Sequence, residues 1–235
     1  MNRKFWASLA VVCILALPIL AADSGLSITA DQLNYNGQTG VATATGNVVV
    51  TKDNAVMTSA SGNYNVKTDE VTMSGGVVVD RGTMHMTAAT VSGYGKNHIK
   101  AIGNVSMVDK DRQLTGNTVD YQLDTKYGVA TGNAFMKSEG TSLWADNIEG
   151  WLDQIKAIGN GNVRIDSPAH GLNATGNQVI YTQTPNQNDG IVHLNGNAHA
   201  VQNGNVLDGE SLEIYLVDNS VQTKGRSTLV ITQAT

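Results

Sequence analysis

Apolar and polar residues alternate one by one along most of the chain, and glycine punctuates the alternation at near-constant intervals. A period of two places successive side chains on opposite faces of a strand, so the pattern predicts short antiparallel strands with one dry and one wetted face. The phrase Gly-Asn/Gly-apolar-x-apolar shows it best. It occurs as Gly46-Asn47-Val48-Val49-Val50, Gly75-Gly76-Val77-Val78-Val79, Gly103-Asn104-Val105-Ser106-Met107 and Gly132-Asn133-Ala134-Phe135-Met136. It continues as Gly161-Asn162-Val163-Arg164-Ile165 and Gly196-Asn197-Ala198-His199-Ala200, with a worn copy at Gly225-Arg226-Ser227-Thr228-Leu229. These glycines stand 29, 28, 29, 29, 35 and 29 residues apart. A period this regular identifies a repeat architecture.

Two and four residues after each of the first six glycines the chain is apolar, whereas the position between them is mixed: Val49, Val78, Ser106, Phe135, Arg164 and His199. One face is therefore expected to be buried and the other wet. Ala42, Val71, Ile99, Ala157, Val192 and Val221 extend the dry face backwards, and Gly128 breaks that column once. The repeating glycine is expected on the same face, where the missing Cβ permits a bulge. A second strand per repeat is marked by Ile28, Met57, Met86, Leu114, Leu143 and Leu172, and by the pairs in Leu33-Asn34-Tyr35, Val119-Asp120-Tyr121 and Val179-Ile180-Tyr181. The long interval contains the polar run from Thr184 to Gly190, read as a lengthened loop.

A unit of about 29 residues loses roughly 30–60 kcal/mol of backbone entropy on folding. Its few apolar side chains return only about 1.5–3 kcal/mol each, so no repeat is expected to stand alone. Nothing in the sequence outside its first 22 residues has helical periodicity of adequate length. The expectation is one all-β domain over residues 23–235.

The first 22 residues have the layout of a secretory signal: Arg3 and Lys4, an apolar stretch from Phe5 to Leu20, then Ala21 and Ala22. Cleavage after Ala22 is expected, and retention as an inner-membrane anchor is the alternative. Cys13, the only cysteine, lies within this stretch and reads as one of its hydrophobes, so the mature chain is expected to hold without disulfides. Without the two cations of the leader, 13 basic residues face 20 acidic ones, a net charge near −7. Such a chain lacks the basic surface that nucleic acid requires.

Candidate chemistry is sparse. His85, His98, His170, His193 and His199 form no cluster of ligand spacing, and Asp109-Lys110-Asp111 lacks the rest of a calcium loop. The carboxylate at Asp31 is replaced by Ala60 and Ala89 in the next repeats, so no acid–base column of a glycosidase type forms. No nucleophile elbow or phosphate loop is present. A non-enzymatic protein without cofactors or metals is expected.

The leader, the Ala-x-Gly-Asn-Val openings and the Tyr-ended partner strands together resemble the LptA/OstA family. They stand here as Ala44-Thr45-Gly46-Asn47-Val48, Ala101-Ile102-Gly103-Asn104-Val105 and Ala130-Thr131-Gly132-Asn133-Ala134, and the resemblance runs from about Ile28 to Ile231. It implies an elongated β-jellyroll of two facing antiparallel sheets opened into a V, with about seven repeats here. It also implies a periplasmic carrier of lipopolysaccharide, with acyl chains inside and headgroup outside. Copies would join head to tail and bridge an LptC-like inner-membrane protein to an LptD-like outer-membrane one.

On this reading the lining comprises Val48, Val50, Val77, Val79, Val105, Met107, Ala134, Met136, Val163, Ile165, Ala198 and Ala200 from the glycine strands. Leu33, Tyr35, Val119 and Tyr121 complete it from their partners. The assembly edges are Ile28 and Ala30 at one end, and Leu229 and Ile231 at the other. Two other readings remain: a self-associating structural repeat protein whose columns form a filled core, and a membrane-anchored component similar to LptC.

Overall fold

A computed structural model of the chain describes residues 26–232 except Asp53, Glu139, Asn186 and Asn188. The expected signal segment, residues 1–22, lies outside them. Among the described residues the fold is all-β, with a 3-10 turn at Pro168–His170. The strands are β1 (Ser27–Thr29), β2 (Gln32–Asn36), β3 (Val41–Lys52), β4 (Ala55–Asn65), β5 (Glu70–Arg81), β6 (Met84–Tyr94), β7 (His98–Asp109) and β8 (Arg112–Gln122). They continue as β9 (Tyr127–Ser138), β10 (Thr141–Trp151), β11 (Lys156–Ser167), β12 (Leu172–Thr182), β13 (Ile191–Gln202), β14 (Asn205–Tyr215) and β15 (Ser220–Val230). From β3 onward each strand pairs with the next in sequence, and β1 and β2 both pair with β3.

Strands of 12 residues alternate with strands of 11 from β3 to β14, for example β3 and β4 or β13 and β14. Two-residue turns such as Gly82-Thr83 and Asn203-Gly204 join the long strands to the next short ones, β11 excepted, and longer turns lead onward. Strand and turn lengths together reproduce the sequence period. The 35-residue interval has two sources. One is the expected loop between Thr182 and Ile191; the other is Pro168–Gly171, which stands where other repeats have a two-residue turn.

That second insertion moves a residue out of its expected column. Met57 pairs with Val50 and Val79, and Leu143 pairs with Ile165, as one column requires. Ile165, however, pairs on its other side with Ala174, while Leu172 pairs with Ser167 and Gln202 at the strand end. Leu172 thus keeps the numerical period but not the place in the sheet.

Every second strand from β3 to β15 is interrupted at its repeating glycine. Gly46 and Asn47 have φ of 76° and 46°, and the β3–β4 register slips between Thr45 and Val48. The same pair of left-handed residues recurs at Gly161-Asn162, with a slip between Asn160 and Val163. Left-handed φ is tolerated by glycine and, among the rest, best by asparagine, which accounts for both residue types at this corner.

The glycines do not sit on the dry face, contrary to expectation. A Cβ on Gly46 would stand 2.4 Å from the Asp31 carboxylate, and one on Gly75 or Gly103 would stand 2.6 Å from the Cβ of Ala60 or Ala89. Asp31, Ala60 and Ala89 are exposed, so the glycine faces the outer corner of the preceding strand, because two left-handed residues turn the chain before the dry parity resumes.

Two compact units divide the described chain. The first takes residues up to 130 apart from 111–113, and the second takes those three residues and Thr131 onward. In each, the strand segments before and after the corner pack their dry sides on one another. Val50 and Ile28 share an apolar recess with Ala42 and Val71 in the first unit, and Leu143 and Ile165 share one with Ala157 and Val192 in the second. The two facing layers are therefore the two halves of the same strands.

Candidate functional site: the apolar interior

The expected parity places the lining residues of the glycine strands inward. Val48, Val50, Val77, Val79, Val105 and Met107 are buried in the first unit, and Ala134, Met136, Val163, Ile165, Ala198 and Ala200 in the second. Val119 and Tyr121 are buried as well. Leu33 and Tyr35 differ, being 56% and 61% exposed. Both lie on β2, which among the described residues pairs with β3 alone and is covered by no further strand. Leu33 still lines the recess of the first unit, at its open end.

The columns are closely packed. Val50 lies between Ile28 and Met57, Val79 between Met57 and Met86, and Met86 beside Met107. What space remains is small and wholly apolar in wall. The first unit has a recess of about 300 Å³, counted to its open mouth, among Ile28, Leu33, Ala44, Val48, Val50 and Met73. The second has one of about 290 Å³ among Thr141, Leu143, Ala157, Ile165, Val179 and Tyr181. Most of that is open solvent: the interior space proper is about 20 Å³ in the first recess and about 10 Å³ in the second, room for about one water molecule and far below a ligand pocket. The recess of the second unit opens where small residues replace large ones: Ala157 sits beside Gly150 and Tyr181, and Gly159 beside Ile148 and Val179.

The outer face carries the charge. His199 Nδ1 lies 2.6 Å from Asp208 Oδ1, and His85 Nδ1 2.7 Å from Asp80 Oδ1. His98 Nε2 and Lys100 Nζ approach Asp120 at 2.8 and 3.7 Å, and His193 and Lys224 each approach Glu213 at 3.7 Å. The hydroxyl of Tyr215 donates to Glu213 at 2.6 Å; this bond, ahead of the nearby cations, holds the Glu213 carboxyl below its ordinary pKa. The same bond raises that of Tyr215. The Arg164 guanidinium lies 3.8 Å from the centre of the Trp144 ring, and Phe135 packs 5.1 Å from it on the other side. Among the described residues no group of three or more His, Cys, Asp or Glu is placed to hold a metal ion.

Two features escaped the sequence reading. One is an amide ladder on the outer face, where Gln178 donates to Asn160 at 2.8 Å, Asn195 to Gln178 at 3.4 Å and Ser211 to Asn195 at 2.9 Å. The other is a polar row on the dry face at the tight-turn ends, where Lys52, Asp109, Ser138, Ser167 and Gln202 are buried. The alternation that identified positions two and four after the glycine runs on to position six, where this row stands.

At the ends of the sheet, Ile28 pairs with Val50 and Ala30 follows β1, while Leu229 pairs with Leu207 and Ile231 lies just beyond β15. Leu229, Val230 and Ile231 are all more than half exposed.

Residues 56–156 match the family described as LptA/(LptD N-terminal domain) LPS transport protein. Over that span the chain is LptA/OstA-like. The LptA/OstA-like segment runs from β4 to the first residue of β11 and holds eight of the lining positions, from Val77 to Met136. Among solved structures, the chain is similar to LptH, described as the LptA homologous periplasmic component of the conserved lipopolysaccharide transport device from Pseudomonas aeruginosa. The identity is 17% and the TM-score 0.41, over 46% of this chain and 82% of that one. No curated protein matched. Among the described residues no helix is long and apolar enough to cross a membrane.

Proposed function

We propose that the protein is a periplasmic lipopolysaccharide carrier that holds acyl chains between the two halves of its strands. The observation that carries the reading is the dry parity of each unit inside the segment that matches the family: Val105 and Met107 in the first unit and Ala134 and Met136 in the second are buried, while Ser106 and Phe135 between them face outward. An apolar interior lined on both sides is what an acyl chain requires, because each buried methylene contributes about 0.8 kcal/mol. The recesses, with about 10 to 20 Å³ of interior space, are too small for even one acyl chain, so carriage requires the facing halves to part along the mouth between the tight turns and the longer turns.

On this reading export removes residues 1–22. Copies join head to tail through β1 and β2 at one end and β15 at the other, and LptC-like and LptD-like proteins cap the series. Photo-reactive groups at Met107 or Met136 are expected to label lipopolysaccharide, and groups at Ser106 or Arg164 to label it little. Equal labelling on both faces would overturn the reading. The close packing of Val50, Met57, Val79 and Met86 favours a second one, in which the interior is a filled core and the exposed end strands alone are functional. Absence of labelling anywhere would select it.

A further inference from the structure

The tight-turn ends and the long-turn ends of the strands lie on opposite sides of the bend. Along β14, Asn205 stands at the first and Tyr215 at the second. A straight strand of that length would hold its ends about 35 Å apart. A contact between the two kinds of end therefore marks a place where the facing halves of the second unit close on each other.

One such contact is present. His170 Nδ1 donates to Asn219 Oδ1 at 3.0 Å, across 49 residues of sequence. The amide oxygen only accepts, so the imidazole nitrogen is the donor. His170 lies in the turn between β11 and β12, flanked by Ser167 and Leu172, and Leu172 pairs onward with Gln202 at the same tight-turn end. Asn219 lies in the turn between β14 and β15, where Tyr215 pairs with Ser220. The two residues thus come from opposite lips of the mouth, and both belong to the second unit.

Each lip is built to present its residue. Pro168–Gly171 is longer by two residues than the Asn203-Gly204 turn beside it, and Pro168 fixes φ where the 3-10 turn begins. Gly171 ends that turn at a φ of 57° and donates to the Pro168 carbonyl at 3.0 Å. Its own carbonyl accepts from Asn203 N at 3.0 Å, and a Cβ on it would stand 2.1 Å from Asn203 Oδ1, so the turn lies tight against its neighbour. On the other lip, Ser220 N donates to Asp218 Oδ1 at 2.9 Å. Leu216 N donates to the Gly190 carbonyl at 3.0 Å, which ties the Asn219 turn to the end of the longer loop. Both departures that make the 35-residue interval therefore flank one contact. That contact is exposed, so it contributes little and can open.

We infer that the Pro168–Gly171 turn is a clasp over the mouth of the second unit, closed on Asn219 by His170, which must release before an acyl chain can enter between the halves. The second recess, with about 10 Å³ inside, is what a closed mouth leaves. The inference rests on the carrier reading above and adds to it the place where the closed form is held.

The test joins the lips covalently. His170→Cys and Asn219→Cys are introduced together with Cys13→Ala, and the two thiols are linked by a short bismaleimide. A control links His170→Cys to Asn203→Cys, both on the tight-turn lip. Loading is read as the rate at which fluorescent lipopolysaccharide associates. The link across the mouth is expected to form in high yield without lipid and to slow association about tenfold or more, whereas the control link leaves the rate unchanged. Capped with N-ethylmaleimide instead, the first variant is expected to load at least as fast as the unaltered chain. His170→Ala is expected to load about two- to fivefold faster, the weight of one exposed hydrogen bond. A link that fails to form across the mouth would show the lips apart, and a linked protein that loads as fast as the control would make the contact a fixed staple. Either result overturns the inference and leaves the carrier reading standing. Failure of every unlinked form to bind lipopolysaccharide would remove both.

Discussion

Asn162 Nδ2 donates to both carboxylate oxygens of Asp146, at 3.0 Å each, across the corner where β11 bends. Asn162 has a φ of 49° and follows Gly161 at 75°. Asparagine here both tolerates the left-handed backbone and ties the corner to the preceding strand. Asn47 does the same with Asp31 at 2.9 Å. Asn162→Val removes both properties and is expected to cost about 1–2 kcal/mol, with Asn162→Gly milder. Gly161→Ala is expected to cost more, because its Cβ would stand 2.1 Å from Asp146 Oδ2 on a strained backbone. Urea denaturation of the three variants checks the order.

Parity can be tested with two carboxylates two strands apart. Met136 is buried on the dry face, whereas Arg164 is exposed and stacks on Trp144. Met136→Asp is expected to destabilise by several kcal/mol, since no partner is present for a buried carboxylate. Arg164→Asp is expected to lose only the exposed stacking, about 0.5–1 kcal/mol. Thermal unfolding at neutral pH separates them; equal losses would reverse the assignment of faces.

Acid sensitivity should concentrate at Glu213. Its pKa is lowered in the fold, chiefly by the Tyr215 hydrogen bond, so the native state binds the proton less readily than the unfolded chain does. Its contribution is present above the ordinary glutamate pKa and is lost as pH falls through the lower, folded value. Glu213→Gln is expected to melt lower than the unaltered protein at neutral pH and to approach it in acid. Melting curves across the acid range check this; a gap that is constant with pH would exclude it.

End-strand assembly makes its own demand. All but one residue of β15 is exposed, and the strand pairs only with β14 among the described residues. Unpaired backbone groups on such an edge can template another strand. Deleting Ser227–Thr235 is expected to leave a folded monomer at concentrations where the full chain forms longer species by light scattering. A deletion that oligomerises equally well would exclude this edge.

Much of this architecture is legible in the sequence because burial has the period of the strand itself. Val48, Val50, Met107 and Met136 are inward for the local reason that alternation identified. Leu33 and Tyr35 follow the same alternation yet are exposed, because being the edge of a sheet depends on strand number, which local pattern does not encode. Leu172 misled for another reason: two extra residues at Pro168–Gly171 displaced the strand while preserving the spacing from Leu143. Ser138 and Gln202 look like ordinary turn-flanking polar residues, and only their enclosure sets them apart.

The strand order has a consequence for how the molecule forms. From β3 on, each strand bonds to its predecessor and its successor in sequence, with no crossover to wait for. The contacts that build the sheet are thus hairpin contacts of low sequence separation, whose loop-closure cost is small. Growth can proceed as a zipper, each new hairpin docking on a template already in place. A chain that emerges end first through a narrow channel can therefore fold in the order in which its residues arrive.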